Sequence, residues 1–596
     1  MKFPKLLTLL ALFCLNSALF AKDRPNILWI SAEDHGPHLG CYGDEYATTP
    51  NLDTFAKRAL RYTKASSNAP VCAPARTTII SGMYPPSLGA HNMRSRVPSP
   101  SYLKFFPTYL REAGYYTTNN NKEDYNLLTD DKGWDDSSKT AHWKNRPNPD
   151  QPFFAIFNYT ASHESQIRNE NKNPQHDPAL APVPPYHPDI PEVRKDWAQY
   201  YDRLTLIDNH FQARLDELEE AGLAEDTIVI FWSDHGSGMP RGKRYPGWSG
   251  LHVALMVHVP EKFKHLAPSE YLPGGTSDRL VSFVDYAATT LSLAGIKPPS
   301  YYHGKAFLGE YQTKAPAFSF GFKGRMDERP DSCRTVTDGR YVYIRNYYPH
   351  LPHGQYLYYQ QQTNTTNMWY QLFNDGKLND VQSAFWQPHP AEELFDLASD
   401  PHETVNLAAS KKHRKKLNQL RDALQQHQNR TRDLSFIPEP MLREVMAKGE
   451  SPAEAFAHYF EPNQNRKKTP NSKISKYWRL VELLSSKPAK IEKAMPSAIA
   501  ALDDKEPIVA VTAAEVVALH SSDDAARSKA IDLLVEYSHF PKYELILSIY
   551  AINALNHIHD AGIELPDSAN DIEQKPAETP DWASAYRPRA LELFQD

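Results

Sequence analysis

The sequence predicts an α/β protein: a mostly parallel sheet between helical layers, then a smaller α+β subdomain and an all-α C-terminal region. Three observations carry that expectation. Short apolar runs alternate with amphipathic segments through residues 25–314, as in a largely parallel sheet wrapped by helices. Several of these runs end in acidic, histidine or amide residues, which suits sheets whose ligands bind beyond the carboxyl ends of the strands. The texture then changes twice, near residues 315 and 434.

In order, Ile27-Leu28-Trp29-Ile30 reads as a buried central strand delivering Glu33, Asp34 and His35 at its end. Asn51–Leu60 and Pro107–Ala113 have helical spacing, and Gly114–Thr118 begins a strand running into Asn119–Asp124. Phe153–Phe157 is a strand ending near Ser162-His163-Glu164, and Tyr200–Ala221 is a long amphipathic helix. Thr227–Trp232 follows and ends in Ser233-Asp234-His235-Gly236; Leu255–Val259 and the helix Ser282–Ala294 complete the unit. Arg334–Asn346 alternates as a hairpin around Thr337-Asp338-Gly339-Arg340, and the Tyr- and Gln-rich stretch 347–366 reads as a long loop. Beyond Leu434 come amphipathic segments (Ala494–Leu502, Pro507–Leu519, Asp523–Tyr537, Tyr543–His557), either a HEAT-like array or a plain helical bundle. The expected divisions are therefore 1–21, 22–314, 315–433 and 434–596.

A chain of 596 residues exceeds one core. A net charge of −6 leaves no basic footprint for nucleic acid. Met1–Ala21, with Lys2 and Lys5 ahead of an apolar run, reads as a secretory signal peptide, so the expected location is periplasmic or extracellular. No later stretch is apolar for the ~20 residues a spanning helix needs. Without the leader, Cys41, Cys72 and Cys333 remain; Cys41 and Cys333 either pair or stay as buried free thiols.

The chemistry centres on Cys72-Ala73-Pro74-Ala75-Arg76. A thiol and a permanent cation four residues apart can build an electropositive pocket that holds an anion. With its neighbours, this segment resembles the C-x-P-x-R signature of type I sulfatases, alkaline-phosphatase-like enzymes; the likeness runs from Arg24 to Leu407. It implies that Cys72 is oxidised to formylglycine by a formylglycine-generating or anaerobic maturating enzyme, and that Arg76 holds that residue in place. The hydrated aldehyde would be the nucleophile, its second hydroxyl allowing sulfate to be expelled.

The same resemblance assigns the strand ends. Glu33, Asp34, Asp234 and His235, with residue 72, would hold one divalent cation, Ca²⁺ by the oxygen-rich donor set. Glu33 departs from the Asp most relatives carry. Lys122 and Lys243 would bind the sulfate, and His163 would protonate the leaving group or bind sulfate. Asp124 stands where most relatives have His and is expected on a sugar hydroxyl or on Lys122. His91, Arg94 and Arg329 are candidate substrate contacts. His91-Asn92-Met93-Arg94 looks most like bacterial heparan N-sulfatase-like sulfatases. The expected activity is hydrolysis of a sulfate ester or N-sulfate on a sulfated oligo- or polysaccharide. The alternatives are a phosphonate monoester or phosphodiester hydrolase of the same superfamily, or a non-catalytic glycan-binding relative.

Overall fold

Ile27 and Trp29 point to one side of the first strand and Leu28 and Ile30 to the other, and each side has its own buried cluster of apolar side chains. The computed structural model describes residues 24–460, 472–574, 580 and 584–595; the expected leader, Met1–Ala21, lies outside them. The central sheet contains β1 (Asn26–Ala32), β2 (Leu60–Tyr62), β3 (Tyr116–Asn120), β4 (Asp136–Ser137), β5 (Phe153–Tyr159), β6 (Thr227–Ser233), β7 (Leu255–His258) and β8 (Thr276–Ser277), in spatial order β8-β2-β7-β6-β1-β5-β3-β4. The pairs are parallel except at β7, which runs antiparallel to both β6 and β2.

The register of β1 on β6 decides where the chemistry sits. Ala32 pairs with Ser233, so the two strands end level and Glu33-Asp34 emerge beside Asp234-His235. All seven residues of each strand are buried, as expected for strands covered on both faces. One face is covered by α1 (Cys72–Ser81) and α2 (Val284–Leu293), through Ile79, Ile80, Ala287 and Leu291. The other is covered by the Pro191–Glu220 helix, through Ile207, Phe211 and Leu215.

A second sheet of β9 (Ser319–Lys323), β10 (Cys333–Thr337), β11 (Tyr341–Asn346) and β12 (Glu392–Asp396) is antiparallel in chain order, with β10–β11 the expected hairpin. The helix Arg414–Thr431 lays Leu417, Leu420 and Leu424 against Val336, Tyr343 and Leu394. Residues beyond Leu434 are helical, and their core is organised on α3 (Pro507–His520), whose apolar residues surround the axis because other helices cover it. Among the described residues no helix is long and apolar enough to cross a membrane.

Several local expectations change. The long helix starts at Pro191, ahead of Tyr200, because a proline at the first turn sets the backbone and Val193 and Trp197 already pack in a satellite cluster. Leu60 belongs to β2, not to the preceding helix, which ends at Ala56. The 347–366 stretch is partly helical, with Tyr358–Gln361 and the start of Asn364–Asn374. Distant carboxylates cap these turns: Glu328 accepts the Tyr358 amide at 2.9 Å and Asp196 the Thr365 amide at 2.7 Å. Cys41 and Cys333 do not pair; both are free. Cys41 lies 3.9 Å from Met256 of β7, whereas Cys333 opens β10 of the other sheet.

The helical region is pinned to the rest by a forked ion pair, Arg325 Nε and Nη2 to the Glu439 carboxylate at 2.8 and 2.9 Å, both residues buried. Removing one partner strands the other charge, so Glu439→Ala should lower unfolding free energy by roughly 3–5 kcal/mol. Denaturant titration checks this; a loss below about 1 kcal/mol would mean that the pair does not anchor the region.

Candidate active site

Cys72 opens a helix whose ten residues are all buried. Pro74 is tolerated because it lies in the first turn, where amide donors have no partner inside the helix. The hydroxyls of Thr77, Thr78 and Ser81 bond back to the carbonyls of Ala73, Pro74 and Thr77 at 2.6–2.9 Å, which satisfies them in a dry setting. The helix thus presents residue 72 at its positive end.

Around the Cys72 sulfur the strand ends converge. His235 Nε2 lies 3.3 Å from it and Asp34 Oδ1 3.8 Å. His235 Nδ1 donates to the Gly236 carbonyl at 2.9 Å, which turns Nε2 inward, 3.1 Å from Asp34 Oδ1. Asp34 has φ of 48°, a left-handed conformation that Asp tolerates better than most residues; its amide donates to Asp234 Oδ1 at 3.0 Å. Asp34, Cys72, Asp234 and His235 offer four ligand atoms, all within 4.8 Å of one another.

Glu33 stands outside that group. Its Oε1 takes an ion pair from Lys122 and lies 3.4 Å from Arg76 Nη2, while its Oε2 is buried without a hydrogen-bond partner. Arg76 bridges Glu33 and Asp234 (3.3 Å) and donates to Asn158 Oδ1 at 2.8 Å. Burial pushes Glu33 up, with Lys122 opposing. Burial would also raise Asp34, but Lys243, His163 and His235 hold it well below the usual carboxylate range.

Lys243 Nζ contacts both Asp34 oxygens at 2.9–3.0 Å, Glu164 Oε1 at 3.2 Å and His163 Nε2 at 3.2 Å. That ammonium, then burial, pulls His163 down to about 4. Asp124 is partly exposed, 3.8 Å from Lys122, with φ of 51°. Arg94 is half exposed and 3.6 Å from Asp327; Asp124 and Cys72 both act on its charge.

Two expected contacts are not brought here. His91 is buried in the electrostatic surroundings of Arg334, Asp433 and Arg325, because Asn92 Oδ1 accepts the Arg325 amide at 2.8 Å and stitches this segment to the second sheet. Arg329 is buried, donating to the Tyr356 carbonyl at 2.5 Å and to Asn553 Oδ1 of the helical region at 2.8 Å.

Sequence reasoning missed the groups that position this set. Asn158 accepts from Arg76 and from Ser31 Oγ at 2.8 Å, and donates to Asn119 Oδ1 at 2.8 Å. Glu164 takes Arg244 in a fork at 2.7–2.8 Å, and its amide donates to Asp34 Oδ2 at 2.6 Å. The place of Glu164 right after His163 was a usable signal. An amide near the end of an apolar strand was not.

The description "Sulfatase" belongs to the family model that matches residues 25–296. An "Ulvan-active sulfatase" of Formosa agariphila is 36% identical over 70% of this chain and 77% of its own length. The human "N-sulphoglucosamine sulphohydrolase" is 25% identical over 69% of this chain and 91% of its own. Among solved structures, a "2-O GAG sulfatase" superposes with a TM-score of 0.52 at 18% identity, covering 69% of this chain and 93% of that one. The phosphonate monoester hydrolase of Silicibacter pomeroyi gives 0.51 at 17%, covering 70% and 97%. These two likenesses speak to the fold, an alkaline-phosphatase-like α/β architecture.

Asn158→Leu would cost Arg76 a charged hydrogen bond, about 1.5–3 kcal/mol. We expect kcat/KM on a chromogenic sulfate ester to fall roughly ten- to a hundred-fold with unchanged circular dichroism. Unaltered kinetics would show that Arg76 is held without it.

Proposed function

Because the chain belongs to the type I sulfatase family and is a sulfuric ester hydrolase, we propose that it removes sulfate from a sulfated oligo- or polysaccharide, using residue 72 as formylglycine. The observation that carries this reading is the placement of Cys72: one residue at the head of a buried helix, in one cluster with Asp34, Asp234 and His235, with Lys243 bonded to Asp34. The Cys72 sulfur stands where the oxygens of the oxidised residue would lie. A maturating enzyme is then an obligate partner, and the leader Met1–Ala21 makes the mature protein an exported one.

The donor set fits a hard divalent cation. Two carboxylates and an imidazole converge with residue 72, and a backbone carbonyl already fixes the tautomer of His235. We assign Asp34, Asp234, His235 and residue 72 as the groups that would hold Ca²⁺, with the unpartnered Glu33 Oε2 the further carboxylate oxygen on offer. When bound, the ion supplies positive charge to the oxygens of residue 72 and to a sulfuryl oxygen.

The chain's own groups supply the rest. Lys122 is held on Glu33 and Lys243 on Asp34, and both charges act on residue 72, so a sulfate bound there would meet two ammonium groups while Arg76 holds the carboxylates. His163 Nε2, beside Lys243, is neutral in the free site; an arriving sulfate offsets the ammonium charge and raises the ring toward protonation. It can then give its proton to the departing oxygen. Arg94 is half exposed and tied through Asp327 (3.6 Å) to Tyr586 Oη of the helical region (3.3 Å). That cation suits a sulfate or carboxylate on a neighbouring sugar.

The relatives' names direct the substrate test: ulvan in one, N-sulphoglucosamine in the other. Sulfate release should be measured on ulvan oligosaccharides, O- and N-sulfated glucosamine, an aryl sulfate and an aryl phosphonate. Turnover of a sulfated saccharide above both aryl compounds is expected; preference for the phosphonate would overturn the reading. Asp124 sharpens it. A carboxylate ~4 Å from a sulfate oxygen is repelled by about 4 kcal/mol at an effective dielectric of 20, so Asp124 serves Lys122 or a sugar hydroxyl instead. A charged hydrogen bond to a hydroxyl contributes roughly 1.5–3 kcal/mol. Asp124→Ala should therefore lower kcat/KM on the saccharide by about one to two orders of magnitude and spare the aryl sulfate. Equal losses on both would show that Asp124 serves the sulfate site through Lys122 or the metal, not the sugar.

A further inference from the structure

In the second sheet, three donors, one sulfur and two imidazoles, meet with no role in the chemistry above. Cys333 opens β10, His353 lies in the segment after β11, and His389 lies just before β12. Their ligand atoms are within 4.8 Å of one another. The Cys333 and His389 residues are 0% and 4% exposed, and the His353 side chain is 5% exposed.

We propose that Cys333, His353 and His389 bind a zinc ion that ties the 347–391 segment to the second sheet.

Four observations support a built site. Neither ring nitrogen of His389 has a hydrogen-bond partner although the residue is buried. Buried polar groups are rarely left so, and a ligand is one of the ordinary explanations. His353 pairs through Nε2 with Glu393 Oε2 at 2.9 Å, while its Nδ1 is buried and unpartnered. A carboxylate on one imidazole nitrogen, leaving the other to face the ion, is how metal-binding histidines are commonly oriented. The thiol of Cys333 has no disulfide partner. The nearby carboxylate is Asp331, its Oδ1 3.5 Å from the sulfur and its charge already matched by Lys323 at 2.6 Å.

One thiolate and two imidazoles are donors that zinc takes, and they contrast with the oxygen-rich set at Asp34. A cavity of about 290 Å³ lined by His353, His389 and Glu393 gives an ion a way in. Binding would release the thiol proton and form one sulfur–metal and two nitrogen–metal bonds, with no change in oxidation state. The fourth position would fall to Asp331 or to water.

The test uses the full-length chain as Cys72→Ala, so that no thiol remains at the catalytic cluster. Metal content by mass spectrometry after growth with zinc should give about one zinc per chain. Adding Cys333→Ser or His389→Gln should reduce zinc at least tenfold and leave calcium content unchanged. Cobalt(II) loaded into the Cys72→Ala protein after zinc removal should give a thiolate-to-cobalt charge-transfer band that Cys333→Ser abolishes. Should those variants fail to fold, the cobalt spectrum of the parent still decides. Absence of both zinc and the band, or zinc retained in full by either variant, would overturn the site. None of these outcomes depends on the sulfatase assignment.

Discussion

Glu33, Asp34 and Asp234 are at most 1% exposed at the ends of two neighbouring strands, and three carboxylates so close cannot stay ionised in a dry interior by themselves. They are tolerable because Arg76, Lys122, Lys243 and His235 are threaded between them. Much of the site follows from that compensation. The level ends of β1 and β6 bring the acids together, and the buried helix that carries Cys72 also delivers Arg76 one turn later. Lys243 settles the buried Asp34, and its charge also acts on residue 72. A preorganised charge pattern of this kind costs folding free energy in the empty site and returns it when charge develops on a substrate.

The second sheet and the helical region obey the same constraint at a distance. Arg325 with Glu439, Arg334 with Asp433, and Arg329 with Asn553 are buried polar contacts joining one layer to the next. Such pairs contribute little net stability against an apolar packing, but they fix which surfaces meet. The outcome is that Tyr586, far along the chain, touches the Asp327 that holds Arg94. The helical region thereby bears on Arg94, whose charge is influenced by Asp124 and Cys72.

Much of this was legible in the sequence. Apolar runs ending in Glu33-Asp34 and Asp234-His235 gave the sheet and its active edge, because strand burial and strand-end polarity are local properties. The register that levels those ends is not local; nor is the pairing of Glu33, expected from the resemblance among the metal ligands, whose Oε1 meets Lys122 and Arg76 while its Oε2 has no partner. His91 was expected at the pocket because its segment follows the signature helix, and Arg329 because it lies in a densely charged loop. A long-range bond from Asn92 and the docking of Asn553 turn them elsewhere. Asn158 was invisible because its importance lies wholly in its partners, Arg76 and Ser31. The short helices at Tyr358 and Asn364 escaped notice because their capping carboxylates come from Glu328 and Asp196, remote in sequence.

The central claim is that residue 72, once oxidised, is the nucleophile. The most direct test produces the protein with and without a maturating enzyme and quantifies, by mass spectrometry of the peptide containing residue 72, the fraction of chains carrying the aldehyde. Sulfate release per chain is measured on the same samples. The account predicts that activity rises in proportion to the aldehyde fraction and extrapolates to zero where only the thiol is found. Full activity in a sample whose residue 72 is entirely cysteine would contradict it.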